Sequence, residues 1–392
     1  MSRIFLLLVL AKAATANVSL VKNYDEIDDF RDSKQYWPKI GLVRFANDVC
    51  SSLEGYYGTC VTRRQCEHIR GTQSGSCTSN GIGRCCIIYR TCGQTSQYNN
   101  TYFSSSGFPN TFNGDSTCTF TIVPCPTACQ ARIDFLSFTL AQPDGNGNCV
   151  DDAMVVTGSG GSIPIICGDN SGQHIYVTFI ANTSITISIT TSSDVNLARS
   201  FSFRVTQIAC DCPTLAPAGC LQYYTDSSAT VRSFNYGTAI NGAVVTNAMN
   251  VMMPGTRQLA NTNYGICVQM QAGYCSIEWA QSSDSTSFTV SNNTAYVEAV
   301  MGLPAQPIIG SNCTTDFVVV PNPYYPSGTS VGTDRFCGNQ FLTIITSSKP
   351  FVLTTVTDAN ELTSDDVANR GFSLTYKQQA CRNSNTLLQL TS

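Results

Sequence analysis

Twenty cysteines in 392 residues constrain this chain more than any other feature. Such a density fits disulfide bonding in an oxidising compartment. The distribution is uneven: Cys50, Cys60, Cys66, Cys77 and the vicinal pair Cys85-Cys86 crowd into residues 50–86, a stretch too short to build a large core. Zinc is the competing use of such a cluster, but it lacks paired C-x-x-C knuckles, and secreted thiols normally oxidise. The first sixteen residues supply the route to that compartment. Arg3 precedes an apolar run from Ile4 to Leu10, and Ala14-Thr15-Ala16 gives the small-x-small pattern of a cleavage site, so 1–16 reads as a signal peptide and Asn17 as the mature N-terminus. The apolar run is less than half the length that spans a bilayer, and no later segment reads as a membrane span.

Charge narrows the partners. Charged residues make up 12% of the chain and the net charge is -4, a poor surface for nucleic acid, which is held by clustered Lys and Arg. With only two histidines, His68 and His174, most acid-base and zinc chemistries lack their usual residue. Most of the charge contrast lies in 17–49, where Asp25, Glu26, Asp28 and Asp29 precede Arg31, Lys34, Lys39 and Arg44, a pattern expected of a solvated arm. N-x-S/T sequons begin at Asn17, Asn99, Asn182, Asn292 and Asn312; behind a signal peptide the last four are expected glycosylation sites.

From residue 92 the pattern changes to short alternating runs between Gly, Asn, Pro and Ser. Phe120 and Ile122 are spaced by two, as are Leu136, Phe138 and Leu140, then Ile175, Val177 and Phe179, then Ile185, Ile187 and Ile189, then Phe201, Phe203 and Val205. That period means half-buried strands, and the expected class is mainly β. The second half repeats the first. Cys149-Val-Asp-Asp152 recurs as Cys313-Thr-Thr-Asp316, Cys167-Gly168 as Cys337-Gly338, and the closing segment Phe201–Cys210 as Phe372–Cys381. Two homologous sandwiches are expected, joined by a Pro-containing linker at 213–219.

These residues carry two resemblances. The six-cysteine order of 50–86, with Gly58-Thr59-Cys60 and Gly83-Arg84-Cys85-Cys86, resembles the arthropod clip domain, which implies bridges Cys50 to Cys85, Cys60 to Cys77 and Cys66 to Cys86. Residues 92–212 resemble the CUB domain, a jelly-roll sandwich. The match rests on Cys92 and Cys118, Gly107-Phe-Pro109, Phe135-x-x-Phe138, the C-x-x-D of Cys149 to Asp152, Cys167-Gly168 and Ser193-Asp194. Residues 220–381 resemble a divergent copy, with a longer first cysteine interval and no recognisable Phe-x-x-Phe, followed by a tail at 382–392. The expected architecture is thus two CUB-like jelly-roll sandwiches in tandem behind a clip-like knot. The CUB resemblance implies Cys92 to Cys118 and Cys149 to Cys167, and by the repeat Cys220 to Cys267, Cys313 to Cys337 and Cys275 to Cys381. Cys129 to Cys210 then leaves Cys125 and Cys212 to join each other; the rival is a local Cys125 to Cys129 bridge, with Cys210 and Cys212 finding other partners.

The CUB resemblance also implies calcium, held in some members by a Glu after the Phe-x-x-Phe strand, the Asp of C-x-x-D and a later Asp, three hard oxygen donors. Asp152 and Asp194 match the two Asp positions, whereas the Glu position falls on Ala141 with Gln142 and Asp144 nearest, so a weak calcium site is expected. Asp316 matches in the second copy, with Asp358 as its partner. For catalysis, Gly168-Asp-Asn-Ser171-Gly172 looks like a protease nucleophile loop, but no histidine and aspartate segments accompany it, and no enzymatic activity is expected. The expected function is recognition or scaffolding of an extracellular protein or surface through the CUB loops, with Tyr324 and Tyr325 between prolines as aromatic anchors. The alternative is a non-catalytic regulatory cofactor of clip-protease cascades in innate immunity or development; only Ile87–Thr91 separates knot from sandwich, and cleavage after Arg90 that changes the cascade's rate would favour this alternative.

Overall fold

The structure is a computed structural model and describes residues 49–78, 81–181, 183–239, 241–246, 252–284, 286–291, 307–359 and 368–381. The signal peptide, most of the charged arm, the sequons at Asn182 and Asn292 and the C-terminal tail lie outside the described residues. In the cysteine-rich segment, strands Val49–Ser51, Tyr57–Thr62, Thr72–Ser76 and Gly83–Arg90 form one sheet, with a short helix Arg63–His68 capped by Thr62 Oγ1, which accepts from Gln65 N–H at 3.2 Å. Successive strand residues face opposite sides. Cys85 therefore reaches Cys50 on one face and Cys86 reaches Cys66 on the other, while Cys60 joins Cys77.

Gly83–Arg90 does not stop at the last cysteine. Ile87 and Ile88 are buried, and the strand pairs in parallel with Thr101–Ser104, Ile88 opposite Thr101 and Arg90 opposite Phe103. The sheet of the cysteine-rich segment is thereby one sheet with the first sandwich, nine strands in all. It continues through Ser200–Ala209, Ala128–Thr139, His174–Phe179 and Ser159–Gly160, and faces a second sheet of Gln94–Ser96, Ser116–Ile122, Ile185–Thr191 and Asp152–Thr157. Phe103 and Phe120 stack across the core with ring centroids 4.7 Å apart, and Phe135, Phe138, Phe201 and Phe203 complete it.

One expected strand phase is corrected. The alternation sets Leu136 on one face with Phe138 and Leu140, yet it is 47% exposed while Phe135 is buried. The pairing with Ser200–Ala209 jumps from Ser137 opposite Ser202 to Phe135 opposite Phe203, so Leu136 is the extra residue of a β-bulge. The bulge brings Phe135 and Phe138 to the same side, rings 5.0 Å apart.

The second sandwich repeats the plan. One sheet runs Cys220–Tyr224, Asn263–Val268, Phe351–Val356, Phe317–Val319, Arg335–Gly338, Pro307–Ile309; the other runs Ser228–Arg232, Gly371–Ala380, Tyr274–Gln281, Ile344–Thr346, Pro323–Tyr324. A hairpin of Asn241–Thr246 and Met252–Gly255 lies between Cys220 and Cys267, where the cysteine interval is longer than in the first copy. Bridges Cys92–Cys118, Cys149–Cys167 and Cys129–Cys210 in the first sandwich correspond to Cys220–Cys267, Cys313–Cys337 and Cys275–Cys381 in the second. The expected Cys125 to Cys212 bridge is not formed, and both are free thiols. They face different neighbours: Cys125 lines a cleft with Val61, Ile69 and Ile88 of the cysteine-rich segment, whereas Cys212 packs beside Tyr176 and Cys220 toward the second sandwich.

The two sandwiches meet through a buried polar seam. Asn235, fully buried with φ +58°, receives Asp169 N–H on Oδ1 and donates through Nδ2 to Gln142 Oε1 and Arg257 O. Its own N–H donates to Asn170 Oδ1 at 2.7 Å. Gly168, at φ +78°, lies so close that a Cβ there would stand 2.0 Å from Asn235 Oδ1, which explains why glycine follows Cys167. Gln222 Nε2 donates to Gln173 Oε1, and Gln173 Nε2 to Ser233 O. The linker is pinned as well: Gln130 exchanges two 2.8 Å bonds with the Ala216 backbone.

Candidate interaction surface at the loop end

Asp152 opens the strand Asp152–Thr157 and points inward. Its carboxylate forms a two-pronged pair with Arg199, Nε to Oδ2 at 2.6 Å and Nη2 to Oδ1 at 3.0 Å, with both side chains fully buried. It also accepts the N–H of Ala141 at 2.6 Å and of Ser192 at 3.2 Å. Burial is tolerable because opposite charge and directed donors meet every exposed lone pair.

This arrangement does not fit calcium at Asp152. Both carboxylate oxygens are committed to a guanidinium and two amides, and at Ala141, where a Glu would ligate, the backbone donates a proton to Asp152. Asp194 is exposed, its carboxylate accepting Ser193 Oγ at 3.4 Å. In the second sandwich buried Asp316 accepts Gln258 Nε2 at 2.7 Å and the Asp358 N–H at 2.8 Å. Among the described residues no group of three or more His, Cys, Asp or Glu is placed to hold a metal ion. Sequence reasoning had found Asp152 and missed Arg199. The available signal was the repeat, which aligns Arg199-Ser-Phe201 with Arg370-Gly-Phe372.

Ser171 and His174 serve structure. Ser171 Oγ accepts Phe138 N–H at 3.0 Å and donates to Asp169 Oδ1 at 3.1 Å, closing the turn. His174 is buried at the seam with Nε2 3.0 Å from Tyr223 O and 3.1 Å from Tyr223 N. Burial, helped by the Arg132 guanidinium, pushes its pKa down from 6.5 to about 4.

Around this loop end the two sandwiches enclose a groove of about 640 Å³. It is lined by Val195 and Leu197 of the first sandwich, by Ala243 and Val244 of the hairpin, and by the carboxylates Asp144, Asp151 and Asp169, with Arg257 as the counter-charge. Asp144 is held in place by accepting Asn146 and Asn148 N–H on Oδ1. Elsewhere, Tyr325 packs against the core of the second sandwich, while Tyr324 is half-buried on an edge strand beside an open groove of about 670 Å³. Asn99 is half-buried with Oδ1 accepting from the Asn100 and Gln207 backbones, and Asn312 is exposed in a short turn.

On the outer face of the nine-stranded sheet, Asp134 lies between Arg132 and Arg204, at 2.7 and 2.8 Å. Burial alone would raise its pKa, but the two guanidiniums outweigh it and hold the carboxyl below its usual range. Arg204 in turn covers the ring of Tyr57, and Arg132 that of Tyr176, which meets Tyr223 edge-on. No helix among the described residues is long and apolar enough to cross a membrane.

Two family models agree with this geometry. The CUB domain model matches residues 92–205, and the animal CUB domain model matches 217–379. Among solved structures, the CUB1-EGF-CUB2 domains of rat MASP-1 are 12% identical, with 74% of this chain and 99% of that chain covered and a TM-score of 0.25. The corresponding human MASP-1/3 domains are 15% identical, covering 71% and 98% with a TM-score of 0.23. The extracellular region of zebrafish Gpr126/Adgrg6 is 12% identical, covering 78% and 38% with a TM-score of 0.25. No curated protein sequence matches. The two matched stretches together take in well over half of the chain, which is therefore a CUB-domain protein: two CUB domains in tandem, mainly β, behind a disulfide-rich N-terminal segment.

Proposed function

We propose that this chain is a secreted, non-enzymatic recognition or scaffold protein that binds an extracellular protein or surface. CUB domains are typically extracellular protein-interaction modules. The observation that carries the reading is the groove between the sandwiches, lined by residues of both domains and by the carboxylates Asp144, Asp151 and Asp169. Its partner presents a basic side chain flanked by apolar ones, which complements that lining. Tyr324 is a second proposed contact. The signal peptide, glycans at Asn99, Asn182, Asn292 and Asn312, and the clip-like character of 50–86 belong to this reading, and nine disulfides support an oxidising compartment.

The test is cross-linked capture from native extracellular fluid with the full chain, wild type against Asp151→Lys/Val244→Arg and against Tyr324→Ala. A species lost with the groove variant and kept with Tyr324→Ala supports the groove. One lost only with Tyr324→Ala moves the contact to the far loop, and a capture unaffected by either sinks the reading. The alternative, a non-catalytic cofactor of clip-protease cascades, draws support from the bridges Cys50–Cys85, Cys60–Cys77 and Cys66–Cys86, the pairing that the clip resemblance implies. Adding the full chain to an activated cascade and finding a changed rate favours it; an unchanged rate does not.

A further inference from the structure

Past the buried Ile87 and Ile88, the strand Gly83–Arg90 brings Tyr89 to the surface, and the parallel pairing sets it directly opposite Tyr102 of the first sandwich. Their rings lie 5.6 Å apart. Tyr56 of the cysteine-rich segment meets both, Tyr102 at 5.4 Å and 88° and Tyr89 at 6.2 Å and 77°. Such edge-to-face packing holds the three rings as a corner. Tyr102 is its buried base, with a hydroxyl that accepts Tyr57 N–H at 2.9 Å, whereas Tyr56 and Tyr89 are 42% and 45% exposed. With exposed Phe108 they line a pocket of about 630 Å³ where the cysteine-rich segment joins the first sandwich.

The charges around this pocket are spent. Among the described residues no carboxylate lines it, and Arg90, the one ionised group that does, gives its guanidinium to the carbonyls of Ile69, Tyr89 and Thr95. Glu54, close enough to act on Tyr89, accepts Ser74 Oγ at 3.1 Å and stands outside the lining. What remains for a ligand are the Tyr56 and Tyr89 hydroxyls and Gln94 Nε2, which have no partner among the described residues; Gln94 Oε1 already accepts Thr91 N–H at 3.0 Å. Neutral donors thus stand around apolar ring faces. That combination matches a neutral sugar, whose axial C–H bonds lie on a ring while its equatorial hydroxyls take hydrogen bonds at the rim. A proline-rich segment matches it less well, because rings that meet edge to face leave no parallel slot.

We propose that this tyrosine corner is a binding site for neutral oligosaccharides built from hexoses with equatorial hydroxyls, read jointly by the cysteine-rich segment and the first sandwich. It shares no lining residue with the groove between the sandwiches, so the two sites stand or fall separately. The size suits a short oligosaccharide, within the range of small-ligand pockets.

Calorimetric titration of the full chain with cellotetraose and with tetra-N-acetylchitotetraose, which differ by the acetamido group, tests this. At least one is expected to bind wild type with a Kd of ~0.1–1 mM. Tyr56→Ala/Tyr89→Ala is expected to weaken that binding by roughly tenfold, as two ring faces are lost. The groove variant Asp151→Lys/Val244→Arg is expected to bind the sugar as wild type does. Four results overturn the proposal: no saturable heat with either sugar, equal affinity in the tyrosine variant and wild type, equal loss in the groove variant, or tighter binding of a heparin tetrasaccharide or a proline decamer than of both sugars. If Tyr56→Ala/Tyr89→Ala does not fold, the ring-proton shifts of wild type during the titration decide. Shifts at Tyr56 and Tyr89 support the site, and shifts confined to other residues overturn it.

Discussion

At the scale of single residues, His174 shows how the seam converts burial into pH dependence. It faces Arg132 and Asp134 from the neighbouring strand, Tyr176 from its own, and Tyr224 from the second sandwich. Its folded pKa, about 4, lies below the 6.5 of the unfolded chain. The unfolded state therefore binds the proton first, so the stability contribution is complete above about pH 6.5, falls as pH drops toward about 4, and levels off below that. The loss amounts to about 3 kcal/mol. Denaturant midpoints near pH 7 and near pH 4 should diverge less in His174→Gln than in wild type; equal divergence would remove His174 as the cause. Residue-level legibility was partial for a physical reason. Asp152 was readable because its spacing from Cys149 is local, whereas Arg199 lies 47 positions away and only the folded loops bring it there. Cys125 and Cys212 failed for the same reason, since counting cysteines cannot say which side of a sheet a loop cysteine faces.

At the scale of elements, period-two alternation located the strands, but it could not give the phase where a bulge intervenes, as at Leu136. The largest difference concerns Gly83–Arg90. The six cysteines of the N-terminal segment end at 86, which leaves Ile87–Thr91 as a short separator before the first sandwich; the strand runs on through Arg90 because Ile87 and Ile88 are buried and Thr101–Ser104 supplies a partner. Arg90 is held there by donating to the carbonyls of Ile69, Tyr89 and Thr95. A protease needs an extended, freed segment, so trypsin should spare the bond after Arg90 in the native protein. Ile88→Ala, which removes buried apolar volume worth about 2–5 kcal/mol, should make that bond cleavable. Prompt native cleavage of wild type after Arg90 would refute the strand's protection and revive processing at that point.

At the scale of the whole molecule, the seam predicts a shared unfolding transition for the two sandwiches. Gly168→Ala drives a Cβ into Asn235 and breaks contacts that carry Asp169, Gln142 and Arg257 with it. Calorimetry of wild type should give one cooperative transition and Gly168→Ala two, the first at lower temperature; two transitions in wild type would mean that the seam couples little. The repeat made two sandwiches legible in the sequence, yet nothing local announced that they share a polar seam, because Asn235 and Gln173 find their partners across it, Asp169 and Asn170 for the one and Gln222 and Ser233 for the other, only in the folded chain. The parallel pairing of Gly83–Arg90 with Thr101–Ser104 has a mechanical consequence. Tension between the cysteine-rich segment and the sandwiches loads those hydrogen bonds side by side in shear, with Arg204 on Tyr57 as a lateral brace. The chain should carry load as a single stiff strut and yield abruptly, where beads on a flexible string would stretch one at a time.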